Sequence, residues 1–346
     1  MSHPRDTFWD IIKGVSILLV VLGHSINYGN GADYLKNELF YDNILFKFIY
    51  SFHMPIFMLV SGYLFYNTLS RKSSTTIIRS RCRLLLLPIL SFAVIYKFPI
   101  FLSTLEGEVS PHFFVHDFFS FTFMGYHLWF LWSIFLNTLI VLFIEKLRIT
   151  QYAYILIWAC FLLIPNHVLN GLYSFMFPYF VFGLLLHQYE DKYCWRNDKR
   201  LLLVSALTFA VMLFFYNKET YIYTTGQSIL KTNGLHQLLV DLHRLIIGLS
   251  GSIFVIISLD YLYHLFSKSS LLNYLSSLGL NSMGIYCFHH IFFWQYIKHC
   301  TIKIHITSFS LILTIAAFIG ALAFSLVTTY IAKKTTLTRI LFLGGR

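Results

Sequence analysis

Two polar side chains, Lys13 and His24, interrupt the first long apolar run of the sequence, IIKGVSILLVVLGHS. If this run is a helix, the eleven residue steps between them turn by about 100° each and make roughly three whole turns. Lys13 and His24 then project from one face, about 16 Å apart. An ammonium group and an imidazole are costly in hydrocarbon, so at membrane depth they are candidate functional residues. Their spacing suits a long ligand held at both ends.

Asp10 lies three residues before Lys13, on nearly the same face of the predicted helix. Its carboxylate can neutralise the Lys13 ammonium and lower the cost of burying it. It can also orient that ammonium for a catalytic role. The sequence leaves both interpretations open.

The helix that carries these residues is predicted to cross a membrane, because 57% of the chain is hydrophobic and only 12% is charged. Apolar stretches near the length of a bilayer span recur along almost the whole chain. We predict an all-α polytopic membrane helix bundle of about ten spans. The predicted spans are 9–28, 44–66, 84–103, 126–145, 152–166, 172–188, 200–216, 238–265, 279–298 and 308–331.

The fifth and sixth spans are the least regular part of this pattern. The fifth is short, and a brief polar break at 166–171 separates it from the sixth. A short span can be tilted or re-entrant. The even number of spans depends on this pair.

Basic residues collect in the connections on one side, for example in RKSSTTIIRSRCR at 71–83. Both termini are therefore predicted to be cytoplasmic, in a multi-pass inner (plasma) membrane protein. The same connections explain most of the net charge of +11, so nucleic-acid binding is not expected.

The connections and the cysteines add two further expectations. No connection exceeds about 25 residues and no Pro/Gly/Ser linker occurs, so we expect one integral membrane domain over 1–346 without an appended soluble domain. The five cysteines lack paired spacing, so neither a disulfide framework nor a metal site is predicted.

Five segments in this order resemble the acyltransferase-3 family of integral membrane acyltransferases. They are the first helix with a basic residue, ten residues and then His24, FHMPIFMLVSGYLF at 52–65, RSRCRLLLLP at 79–88, HLWFLWSIF at 127–135 and LGLNSMGIYCFHH at 278–290. The family more often has Arg at the position of Lys13. Its arginines before the third helix are commonly spaced differently from the alternating Arg79, Arg81 and Arg83.

The resemblance implies transfer of an acyl group, most simply acetyl, from cytoplasmic acetyl-CoA or another acyl-CoA to a hydroxyl of an envelope glycan or lipid-linked sugar. The pantetheine arm of CoA, about 15 to 20 Å long, is close to the predicted rise from Lys13 to His24. We expect Lys13, Arg79, Arg81 and Arg83 to bind the CoA phosphates. His24 is then the general base, with a covalent acyl-histidine as the alternative.

Other polar residues have a functional and a structural interpretation each. His289 matches the family's late histidine and is a second catalytic candidate, whereas His290 beside it is expected to point elsewhere. His53 either faces the acceptor or is hydrogen-bonded within the fold. Arg244 either binds the acceptor or pairs with Asp241.

Trp129 and the Ser61–Gly62 pair also have two interpretations each. Trp129 either lines a sugar pocket or belongs to an interfacial aromatic belt. The pair Ser61 and Gly62 is expected to allow close helix packing, although Ser61 could be a nucleophile if a base lies beside it.

Two other classes of function are compatible with the sequence. The intramembrane Lys, His and Arg residues could line the substrate or proton path of a transporter or flippase. They could also hold helices together in a membrane protein without enzymatic activity.

Overall fold

The computed structural model of the chain describes residues 6–30, 38–124, 128–165, 171–230, 233–266, 269–299 and 308–345. Within these ranges, helices are the only regular secondary structure, so the predicted all-α fold class is confirmed. The principal helices are α1 (Thr7–Gly29), α2 (Ile44–Leu69), α3 (Ser74–Leu105), α4 (Pro111–Phe119), α5 (Trp129–Leu147), α6 (Tyr152–Leu162), α7 (Gly171–Gln188), α8 (Lys199–Phe214), α9 (Gly234–Leu265), α10 (Ser270–His299), α11 (Leu311–Lys334) and α12 (Thr336–Leu343).

Each of the ten predicted spans overlaps one of these helices. In the described part of the chain, six helices are long and apolar enough to cross a membrane, namely α1, α2, α3, α5, α9 and α11. The α6 helix has only 11 residues and extends about 16 Å, roughly half of a bilayer's hydrocarbon core. Residues 166–170 of the predicted polar break lie outside the described residues. The number of ten spans and the cytoplasmic termini stay predictions.

The chain divides into two compact units. The first comprises Met1–Tyr66, Tyr179–Thr225 and Leu235–Thr329, and the second comprises Asn67–Pro178, Gly226–Gly234 and Tyr330–Arg346. The first unit therefore holds α1, α8 and α10 with most of α2, α9 and α11, and the second holds α3 to α6 and α12. The α7 helix is divided, with the part from Tyr179 onward in the first unit and the part up to Pro178 in the second. The prediction of a single domain stays a prediction.

Helices α1 and α10 of the first unit cross in direct backbone contact. A Cβ atom added to Gly14 would collide with the carbonyl oxygen of Leu275, and one added to Gly279 would collide with the carbonyl oxygen of Asp10. Apolar side chains gain little by leaving lipid, so membrane helices associate by close van der Waals packing, which small residues allow. The two glycines thus set where α1 meets α10.

A second glycine crossing joins α2 to α7 within the same unit. A Cβ atom at Gly62 would meet the carbonyl oxygen of Phe180, and one at Gly183 would meet that of Leu59. The predicted packing role of Gly62 is therefore confirmed. The hydroxyl of Ser61 donates to the carbonyl oxygen of Phe57 at 2.8 Å, which is an ordinary bond within its own helix.

In the second unit, α3 contains one turn of π-helix at Cys82–Leu86. Pro88 lies two residues after this turn and has no N–H to donate to the carbonyl of Leu84, so the regular α-helical bonding is interrupted here. π-Helical turns inside α-helices are frequent at functional sites. This turn carries Arg83.

The α1–α10 crossing should tolerate no side chain at Gly279. We expect Gly279→Ala to destabilise the protein by about 3 kcal/mol or more, because two backbones would have to separate. The measurement is the melting temperature and monodisperse yield in detergent. Gly320→Ala is the matched control, since its added methyl would meet only the ring tip of Phe292 at 2.9 Å. Equal behaviour of the two variants would contradict the crossing.

Candidate active site

The turn of α1 that carries His24 lies beside the turn of α10 that carries His289 and His290. The ring centroids are 5.1 Å apart for His24 and His289, 5.2 Å for His24 and His290, and 4.5 Å for His289 and His290. One nitrogen from each ring lies within 4.8 Å of the other two. We call these three side chains the histidine cluster. The structure therefore brings together both predicted catalytic histidines.

The prediction that His290 points away from the site is wrong. Adjacent residues of one helix diverge by about 100°, which led to that expectation. The α1 backbone, however, approaches α10 so closely that the His24 ring is nearly equidistant from both histidine rings. His290 is thus a member of the cluster that sequence reasoning missed.

Two nitrogens of the cluster are buried and have no hydrogen-bond partner among the described residues, namely Nδ1 of His24 and Nε2 of His289. Nδ1 of His289 lies 2.9 Å from the carbonyl oxygen of Ile285. A carbonyl can only accept, so the proton sits on Nδ1 and Nε2 presents a lone pair. Buried polar groups without partners are rare and cost about 1 to 3 kcal/mol each. Two such atoms on neighbouring rings make this cluster a candidate site for a ligand.

Aromatic rings hold the imidazoles of the cluster in place. The Tyr28 ring stacks on His24 with centroids 5.5 Å apart and an interplanar angle of 8°. Phe293 lies 6.1 Å from His24, and Tyr286 lies 5.8 Å from each of the other two histidines. These rings restrict the orientation of the imidazoles and surround them with largely apolar surface.

Lys13 and Asp10 form an ion pair at the other end of the same face of α1. Nζ of Lys13 lies 2.5 Å from Oδ1 of Asp10, and the side chains are 21% and 4% exposed. The predicted neutralisation is confirmed. The proposed catalytic role of Asp10 stays a prediction, as does the contact of Lys13 with a phosphate.

Arg244 is buried and pairs with Asp241 at 2.8 Å, as one of its two interpretations predicted. Its Nε donates to the carbonyl oxygen of Thr220 at 2.8 Å, and its Nη2 donates to the hydroxyl of Thr225 at 2.5 Å. These bonds tie residues 219–225 to α9. The geometry thus gives Arg244 a structural role, and its contact with an acceptor stays a prediction.

The other two predicted acceptor residues are also buried. Nδ1 of His53 lies 2.8 Å from the carbonyl oxygen of Ile49, which agrees with a hydrogen-bonded structural histidine. Trp129 is 6% exposed, which is too little for a lipid-facing belt residue. The predicted contacts of His53 and Trp129 with the acceptor therefore stay predictions.

The predicted phosphate-binding arginines lie on α3. Arg79 and Arg83 are exposed and Arg81 is partly buried. Within the second unit, the guanidinium of Arg83 lies against the chain at Gly345, where an added Cβ would come within 2.5 Å of it. These arginines belong to the second unit and Lys13 belongs to the first. A joint phosphate site stays a prediction.

Sequence reasoning also missed a cleft of about 570 Å³ in the first unit, beside the beginning of α1. Arg196 lines it and pairs with Glu190 at 3.0 Å and with Asp260 at 3.7 Å. Its residues come from three distant segments, so no local pattern could have grouped them. Asp6 and Asp191 add further carboxylates, and the negative charge of these groups disfavours the binding of a phosphate in the cleft.

The family of the chain follows from a match that covers nearly its whole length. Residues 6–332 match the acyltransferase-3 family model, described as an acyltransferase domain. The chain belongs to this family. The resemblance seen in the sequence is thereby confirmed.

Two curated relatives are each named nodulation protein NolL. The one from Mesorhizobium japonicum is 29% identical over 240 residues, which are 64% of this chain and 59% of the relative. The one from Sinorhizobium fredii is 28% identical over 233 residues, which are 64% of this chain and 60% of the relative. The matched part thus spans about 60% of each relative. No solved structure gives a significant match.

The buried Asp10–Lys13 pair yields a test that needs no activity. Asp10→Asn leaves an ammonium without its counter-charge and should destabilise the protein by about 3 kcal/mol or more. The double variant Asp10→Asn/Lys13→Met removes both charges and should be more stable than Asp10→Asn alone. Melting temperatures in detergent measure both effects. A double variant less stable than the single one would show that the pair does not work as a unit.

Proposed function

We propose that the protein is a membrane O-acyltransferase of the plasma membrane. It moves an acyl group, most simply acetyl, from cytoplasmic acyl-CoA to a hydroxyl of a cell-envelope glycan or lipid-linked sugar. Membership of the acyltransferase-3 family supports the reaction class. The observation that carries the proposal is the buried, unbonded Nδ1 of His24, beside His289 and on the same helix face as Lys13.

His24 acts as the general base in this proposal. Its neutral imidazole removes the proton from the acceptor hydroxyl while the oxygen attacks the thioester carbonyl carbon. The tetrahedral intermediate then collapses, the C–S bond breaks, and the proton passes from the imidazolium to the departing CoA sulfur. Atoms and charges balance without a further reactant. The alternative is a two-step path through an acyl-histidine, in which His24 attacks the thioester first.

His289 supports the charged form of His24 during this step. Its Nε2 carries a lone pair because Nδ1 donates to the carbonyl oxygen of Ile285. When His24 becomes an imidazolium, a small rotation of either ring lets Nε2 accept one of its N–H groups. This interaction exists only after proton transfer, so it favours the transition state over the ground state.

Lys13 binds the phosphate-bearing end of the donor. The helical rise of about 16 Å from Lys13 to His24 matches the reach of the pantetheine arm. We propose a second group of phosphate ligands on α3, namely Arg79, Arg81 and Arg83. Lys supplies a point charge where Arg would supply a two-pronged donor.

The acceptor side of the proposal rests on His53, Trp129 and Arg244. An indole face can stack on a sugar ring, which is the contact assigned to Trp129. His53 lies on α2 in the same unit as the histidine cluster. Because the guanidinium of Arg244 is already bonded, its effect on the acceptor would come through the segment 219–225 that it holds.

Loss of the proposed base should slow acyl transfer strongly. We expect His24→Ala to lower the rate of acyl transfer from acyl-CoA by about 10²- to 10⁴-fold, the usual contribution of a general base. The assay is release of free CoA together with acylation of an envelope glycan extract. His243→Gln is the control, because a glutamine amide can replace the bond from His243 to the carbonyl oxygen of Met212. Normal transfer by folded His24→Ala protein would refute the assignment.

CoA should bind and stabilise the protein. At 100 times its dissociation constant a ligand adds about 2.7 kcal/mol of stability, which a melting curve detects. The double variant Asp10→Asn/Lys13→Met should lose most of this shift while it stays folded. A transporter or flippase of glycans has no need of CoA. A wild-type protein that CoA does not stabilise would therefore count against the acyltransferase.

A further inference from the structure

The histidine cluster has the composition of a transition-metal site. Imidazole nitrogens are common ligands of zinc, and three histidines form one of the known zinc ligand sets. The three candidate ligand atoms here lie within 4.8 Å of one another. We infer that His24, His289 and His290 bind one Zn²⁺ ion and that this ion inhibits acyl transfer by occupying the lone pair of His24.

The hydrogen bonds around the cluster support the inference independently of the spacing. A histidine that binds a metal usually donates its other ring N–H to a carbonyl or a carboxylate, which fixes its tautomer. His289 does this with the carbonyl oxygen of Ile285 and leaves Nε2 as the ligand atom. Nδ1 of His24 is likewise buried without a partner among the described residues.

The geometry requires only side-chain movement. In a tetrahedral site with Zn–N bonds of about 2 Å, ligand nitrogens lie about 3.3 Å apart. The present limit of 4.8 Å means that the rings must turn toward one another by roughly 1.5 Å at most. The fourth position would hold water or hydroxide, as in other sites with three protein ligands.

The ion and the reaction compete for the same atom. An imidazole nitrogen bound to zinc has no lone pair for the acceptor proton. Zinc should therefore stop transfer and a chelator should restore it. Binding itself does not depend on the proposed function, whereas inhibition does.

The test begins with binding. Protein purified in detergent is stripped with a chelator, dialysed against dilute Zn²⁺ and analysed for metal, and Co²⁺ is added separately to read the ligand geometry from its visible absorption. We expect one Zn²⁺ per chain and a tetrahedral cobalt spectrum. His24→Gln and His290→Gln should bind at least about 100-fold more weakly, since losing an outer-shell partner alone costs 10- to 100-fold. His243→Gln should bind like the wild type.

Several outcomes would overturn the inference. A wild-type metal content below one ion per chain would do so. So would an unchanged metal content in His24→Gln and His290→Gln, provided that both variants keep the metal-free melting temperature of the wild type. Should either variant fail to fold, protection of the wild-type His24 from diethyl pyrocarbonate by Zn²⁺ replaces it, and absence of protection counts against the site.

Activity then separates the two proposals. Zinc binding without any acyl transfer would reject the acyltransferase and keep the site. Transfer that zinc leaves unchanged, or that requires zinc, would reject the inhibitory role and keep the acyltransferase.

Discussion

The rest of the candidate site depends on the backbone contact between α1 and α10. Lipid offers apolar side chains nearly the same surroundings as a protein interior, so the pairing of these helices relies on shape rather than on the exclusion of water. Gly14 and Gly279 supply that shape. His24 follows Gly14 by ten residues, and His289 follows Gly279 by ten residues. The two imidazoles therefore stand at the same height above the crossing, about 15 Å along each helix.

The polar side chains of the first unit that the sequence singled out differ in their partners. Arg244 and Asp10 form ion pairs that balance their charges, and Nδ1 of His53 donates to the backbone carbonyl oxygen of Ile49. His24 and His289 instead keep unbonded buried nitrogens. The hydrogen bonds that a structural polar residue makes within the fold offset the free-energy cost of removing it from water. The two unbonded nitrogens of the histidine cluster have no such bonds within the residues that the structure describes, which is expected where a substrate or an ion completes the bonding.

Much of the fold could be predicted from the sequence, because span-length apolar runs are local features and each overlaps a helix. The pairing of Lys13 with Asp10 was also predictable, since the two residues lie three positions apart on one helical face. What local periodicity could not show is which helices touch. His290 was misplaced for that reason: its direction was judged from its own helix, while the distance to His24 depends on a glycine contact with a segment about 265 residues away. The cleft around Arg196 was missed for the same reason.

The direction of the two site helices constrains the path of the chain between them. Gly14 meets α10 near Leu275 and Gly279, and His24 meets it at His289, so α1 and α10 run parallel. If α1 and α10 both cross the membrane, as the predicted spans require, an odd number of crossings must lie between them, because parallel spans enter the membrane from the same side. The seven predicted spans from the second to the eighth satisfy this condition, and so would five if α6 and α7 together formed a re-entrant pair. A path in which only one of α6 and α7 crosses, with the others unchanged, is incompatible with the parallel arrangement. The geometry of the histidine cluster therefore couples the two least regular spans to each other, even though they lie far from it in the sequence.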